Sequence, residues 1–187
     1  MSQITAILPL AEGVEEMEAV ILIDVLRRAG ARVQVLGLGP EEQVHASREV
    51  VLGSEGQLTG EEDADLLLLP GGGEGARRLA EDQRVQSMLQ RFAAADKWIG
   101  AICAAPIALA AAGLLEGRTV TSHPSVQKEI EAAGARYTEN SVEIDGKLIT
   151  GRGPGVAFDF ALDLVGLLFG ATKAAEVRRP MMFPIDG

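Results

Sequence analysis

The chain has 187 residues, 47% of them apolar and 24% charged, a composition that suits one globular domain with a substantial core. A formal charge of −10 speaks against nucleic-acid binding, which needs clustered Lys and Arg, and the acidity reads as a solubility device. No apolar stretch approaches the roughly 18 residues of a bilayer span. The N-terminus has no export signal, and one cysteine with two histidines forms neither a disulfide nor a ligand-spaced metal cluster, so a soluble, cytoplasmic, metal-free protein is expected.

Residues 4–10 form a short apolar run of strand formers that ends in a loop at Ala11-Glu12-Gly13. From Glu15 the apolar period changes to that of a helix, with Met17, Val20, Ile21, Asp24, Val25 and Arg28 near one stripe, until Gly30 closes it. Residues 32–37 complete a βαβ opening. Residues 50–52 and 56–58 are weaker strand candidates for a small hairpin near the sheet edge. Residues 65–69, Asp-Leu-Leu-Leu-Leu, are far stronger, the continuous apolar run expected of a parallel strand buried on both faces.

After Pro70-Gly71-Gly72-Gly73, residues 76–80 and 85–95 read as helix. An apolar strand then leads to Cys103, followed by a helix over 106–112, a strand over 119–122 and a helix over 125–133. Residues 137–149 read as two strands around Asp145-Gly146. Gly153-Pro154-Gly155 breaks the chain before a long helix through Phe158, Leu162, Val165 and Phe169. Strands alternating with helices predict a three-layer α/β/α sandwich.

In such sheets ligands gather outside the carboxyl ends of the strands. The loops at residues 10–18, 70–75, 103 and 123 all fall at those ends, so they are expected to share one crevice. Cys103 lies between the small residues Ala101 and Ala105 at a strand-to-helix turn, the setting of an exposed nucleophile whose thiolate a helix N-terminus favours. The plainer reading is a buried cysteine acting as a small hydrophobe.

Gly71-Gly72-Gly73 lacks the ending of a phosphate-binding loop. It reads as a tight turn, or as a source of a backbone N–H that would pair with that of Ala104 in an oxyanion hole. Glu15, Glu16 and Glu18 complement a helix N-terminus. Glu18, if turned into the crevice, is also a proton donor whose pKa the neighbouring sulfur would raise. His123, before Pro124, is either a base for Cys103 or a helix-start histidine, and no third residue completes a triad.

Taken together, Ala11 to Glu18, Arg27-Arg28-Ala29-Gly30, Ser47-Arg48, Leu69-Pro70-Gly71-Gly72, Ala101 to Pro106, Thr121-Ser122-His123-Pro124 and Gly151 to Gly155 resemble the DJ-1/PfpI superfamily, in its DJ-1 (YajL/ThiJ-like) branch. The resemblance covers nearly the whole chain, as one domain over residues 1–187. It implies a flavodoxin-like sandwich with a mostly parallel sheet, and usually a homodimer. It also implies an oxidation-sensitive nucleophile at Cys103, a protonated partner at Glu18 and an oxyanion site at the N–H groups of Gly72 and Ala104. Arg48 and Arg28 match an anion-holding region near the dimer contact, Pro154 a segment that approaches the partner's site, and His123 the family histidine.

Ala104 stands where the family's peptidases carry a histidine, so proteolysis is not expected. The activity implied is cofactor-free glyoxalase III chemistry on methylglyoxal or glyoxal, with deglycation of proteins, nucleotides or nucleic acid beside it. A redox sensor or chaperone using Cys103 oxidation is the alternative. Nothing in the chain supports a thiazole-phosphate pocket, as a thiamin-biosynthetic role would need.

Overall fold

The computed structural model describes residues 3–183. The chain runs β1 (Thr5–Leu10), α1 (Glu16–Ala29), β2 (Arg32–Gly37), β3 (Gln43–His45), β4 (Val51–Gly53), β5 (Leu66–Leu69), α2 (Gly73–Glu81), α3 (Gln83–Ala94) and β6 (Trp98–Ile102). It continues with α4 (Pro106–Ala111), β7 (Thr119–Val120), α5 (Gln127–Ala132), β8 (Arg136–Tyr137), β9 (Val142–Asp145), β10 (Leu148–Gly151), α6 (Ala157–Phe169) and α7 (Ala171–Arg178).

Six strands form the central sheet in the order β2-β1-β5-β6-β10-β9, parallel except for the β9–β10 hairpin. All four leucines of β5 are buried, as their unbroken apolar run demands of a strand covered on both faces. Helices α1, α6 and α7 pack together as one group and α2 to α5 as another, giving the expected mostly parallel α/β sandwich. Gly30 ends α1 at φ +98°, donating to the carbonyls of Leu26 and Arg27.

Several local expectations change. The face of α1 that is buried carries Glu18, Leu22, Val25 and Leu26, while Met17 and Val20 stand about half exposed. The helix is apolar on two sides, so periodicity alone does not choose the inward one. In α6, Phe160 is buried and Phe158 points outward against Phe183.

The small hairpin pairs β3 with β4, not residues 50–52 with 56–58, and Gln57 instead bridges Gly37. The strand before His123 is only the two residues of β7, which pair with β8 outside the central sheet. Helix α7 has no counterpart in the sequence reading. No helix among the described residues is long and apolar enough to cross a membrane.

Candidate active site

The crevice lies at the carboxyl ends of β1, β5 and β6, is an open hollow of about 230 Å³, and is lined by Glu15, Ser47, Arg48, Gly72, Gly73, Cys103, Ala104, His123, Ser125 and Pro154. Cys103 follows directly on β6 and takes φ +63°, the left-handed region that an L-residue adopts only where its surroundings hold it. Two flanking contacts do so: Cys103 N–H donates to Gly151 O at 2.8 Å, and Cys103 O accepts from His123 N–H at 2.8 Å. The thiol is thereby turned into the crevice, where the backbone N–H groups of Gly72 and Ala104 point at its sulfur.

The loop after β5 has no room for a side chain at Gly71 or Gly72. Gly72 has φ +93°, and a β-carbon there would lie 2.3 Å from Gly13 O and 2.6 Å from Glu15 N. Gly71 donates its N–H to Glu18 Oε2 at 2.7 Å. Glu18 is fully buried on α1, and its Oε1 has no well-formed hydrogen bond among the described residues. The carboxyl and the Cys103 thiol are close enough to shift one another's proton affinity.

Burial pushes the Glu18 carboxyl up to about 7, helped by the charge of Glu15 and opposed by the Gly71 N–H and the Cys103 contact. Burial likewise pushes the Cys103 thiol up to about 12, joined by the charge and contact of the Glu18 carboxylate and opposed by the Gly72 and Ala104 N–H groups. This reverses the sequence expectation of a thiol lowered by the helix behind it. That helix, α4, has only six residues, and the sequence does not show that a carboxylate shares the pocket. The two groups titrate as a pair: a proton on Glu18 removes the charge that holds the thiol up, so carboxyl protonation and thiolate formation favour each other.

His123 is exposed on the crevice wall, and its Nδ1 accepts from Ser125 N–H at 3.2 Å and meets Ser125 Oγ at 2.8 Å. It thus begins the turn at residues 124–126, as a helix-start histidine does. With Nδ1 an acceptor, the neutral ring carries its proton on Nε2 and offers a donor there. Arg48 reaches the crevice, with its N–H donating to Glu16 Oε1 at 2.8 Å and its Nη1 to Ser47 O at 3.2 Å. Pro154 lines the crevice of its own chain.

Arg28 does not join them. It sits in the last turn of α1, donates to Asp24 Oδ2 at 2.5 Å, and borders a separate hollow with Lys173, Glu176, Val177 and Pro180. The i,i+4 spacing to Asp24 and the length of α1 carry it away from the sulfur. Sequence reasoning left Ser47 and Ser125 without a role and did not pair Gly71 with Glu18, although Gly71 and Ser47 stand inside the motifs it quoted.

The pattern of the DJ-1/PfpI family matches residues 4–167, and the chain belongs to that family. It is 45% identical over 184 residues to Parkinson disease protein 7 homolog of Danio rerio, covering 95% of this chain and 96% of the relative. It is 33% identical over 172 residues to the Caenorhabditis elegans protein named glutathione-independent glyoxalase DJR-1.2, covering 91% of each. Among solved structures, Drosophila melanogaster DJ-1beta matches with a TM-score of 0.93 at 37% identity, over 98% of this chain and 100% of that one.

Proposed function

We propose that this protein is a cysteine-dependent enzyme that acts, without glutathione, on 2-oxoaldehydes such as methylglyoxal and glyoxal and on their early adducts with amines. One cluster carries the reading: a buried thiol, two N–H groups directed at its sulfur, and a carboxyl of raised proton affinity against it. The relative named as a glutathione-independent glyoxalase supports it.

In the proposed reaction the Cys103 thiolate adds to the aldehyde carbon, and the carbonyl π pair moves to oxygen. The N–H groups of Gly72 and Ala104 share the developing charge, and Glu18 gives the oxygen its proton to form a hemithioacetal. Glu18, now a carboxylate, removes the proton on C1 to give an enediol, the O1 hydroxyl proton passes to O2, and Glu18 returns its proton to C2, leaving a thioester of the 2-hydroxy acid. Water cleaves the thioester and restores the thiol. The sum is one aldehyde plus one water to one hydroxy acid, with no external oxidant. His123 Nε2–H serves as a hydrogen-bond donor at the wall.

The test is lactate formation from methylglyoxal in amine-free buffer without glutathione, beside the same assay on a glycated peptide. Equal rates for wild type and Cys103→Ser would sink the reading.

A second reading, oxidation of Cys103 to a sulfinate that alters partner binding, draws on the same two N–H groups, which suit a sulfinate oxygen. Two equivalents of peroxide convert the thiol to the sulfinic acid with release of two waters. Intact mass after mild peroxide must then show a two-oxygen adduct, and its absence ends this reading.

A further inference from the structure

Glu15 lines the crevice beside Gly72 and Cys103, yet the reaction above leaves it without a task. It holds the N-cap position of α1, but its carboxylate caps nothing, since no side-chain hydrogen bond runs to the helix N–H groups. Instead Oε2 accepts from Ser47 Oγ at 2.9 Å. The same hydroxyl lies 2.9 Å from Glu16 Oε2, and its single proton serves one carboxylate at a time.

Glu16 is better compensated. Burial alone would raise its pKa, but its own N–H, Ser47, the Arg48 N–H and the Arg48 charge hold its carboxyl below the usual range. Arg48 is therefore answered by Glu16, whereas no ion pair among the described residues involves Glu15. Glu18 is the other carboxyl of the crevice, and around neutral pH it still holds much of its proton. His123 lines the same crevice. The field of Glu15 reaches the reacting groups, since its charge is among the causes that raise Glu18.

We propose that Glu15, held by Ser47, sets the charge specificity of the crevice: it admits neutral and cationic 2-oxoaldehydes and adducts and repels those bearing a carboxylate or phosphate. The proposal rests on reading the crevice as a 2-oxoaldehyde site, but its first test does not. Cys103 is the only cysteine in the chain, so its alkylation by neutral iodoacetamide and by anionic iodoacetate can be followed by mass. Relative to free cysteine, the ratio of the two rates should be higher in the wild type by about tenfold, the effect of one partly screened charge a few ångströms away. It should drop several-fold in Glu15→Gln.

A wild-type ratio equal to that of free cysteine, or an unchanged ratio in Glu15→Gln, overturns the proposal. Should that variant not fold, the wild-type ratio must still fall toward that of free cysteine as salt is raised, and a salt-independent ratio counts against the proposal equally. The second arm compares kcat/KM for 4,5-dioxopentanoate and its methyl ester, which the wild type should use about tenfold better. If the wild type turns over neither, the glyoxalase reading fails and the alkylation ratio still decides the charge proposal. If both are used and Glu15→Gln leaves their ratio intact, the charge proposal fails alone.

Discussion

Gly71 approaches Cys103 so closely that a β-carbon on the glycine would stand 2.6 Å from Cys103 Cβ and 2.7 Å from Glu18 Oε2. The nucleophile and its carboxyl partner are thus in register only because a hydrogen atom separates the loop after β5 from the turn after β6.

Gly71→Ala tests that closeness. Gly71 is not among the positive-φ residues, so alanine adopts its backbone without penalty and the insult is the methyl group alone. Displacing reacting groups by about 1 Å costs on the order of 100-fold in rate. We expect loss of that order in methylglyoxal turnover, with a circular-dichroism spectrum like the wild type. Retained turnover would mean that the Glu18–Cys103 spacing is not critical.

The backbone of Cys103 predicts an inverted stability order. At most buried sites glycine is less stable than alanine, but at φ +63° the β-carbon is the strained element. Cys103→Gly should exceed Cys103→Ala in urea denaturation by about 1 kcal/mol. The usual order, with alanine ahead, would show that the turn relaxes once the thiol is gone.

Burial of Glu18 makes stability depend on pH. Its carboxyl rises from 4.5 to about 7 on folding, so between those values the folded chain keeps a proton that the unfolded chain has released. Its contribution is fully present below about pH 4.5 and is lost as pH climbs through 7. At roughly 1.4 kcal/mol per tenfold change in proton affinity, the loss is about 3 kcal/mol. Urea midpoints from pH 4.5 to 7.5 should therefore fall more steeply in the wild type than in Glu18→Gln. Parallel curves would place the carboxyl in a far wetter setting.

The His123 ring is expected to matter through its Nδ1. Asparagine can supply an oxygen to the Ser125 N–H and leucine cannot, so His123→Leu should lose about 1 kcal/mol that His123→Asn keeps. Equal losses in thermal melts would assign the ring another structural duty.

The buried strand β5, the closing glycine of α1 and the Cys103 turn were all readable in the sequence, because each is written in a few adjacent residues. Pairing partners were not. Residues 43–45 carry a single buried apolar side chain, Val44, too little pattern to announce a strand. Helix α7 has weak amphipathicity and buries only Val177. The placement of Arg28 and the upward shift of the Cys103 thiol depend on which way α1 rolls and on how deeply Glu18 is buried beside the sulfur. Those distances join residues 85 positions apart, and the sequence does not print them.

Both peptide groups of Cys103 are engaged, one by Gly151 at the end of β10 and the other by His123 after β7. A cysteine tied at both ends to separate segments has no hinge on which to swing outward. Whatever becomes attached to its sulfur must begin within a hollow of about 230 Å³, so the shape of the hollow filters adducts as well as reactivity does. A two-oxygen or three-carbon addition is of the scale of that space, whereas a tripeptide disulfide must run out through its open mouth.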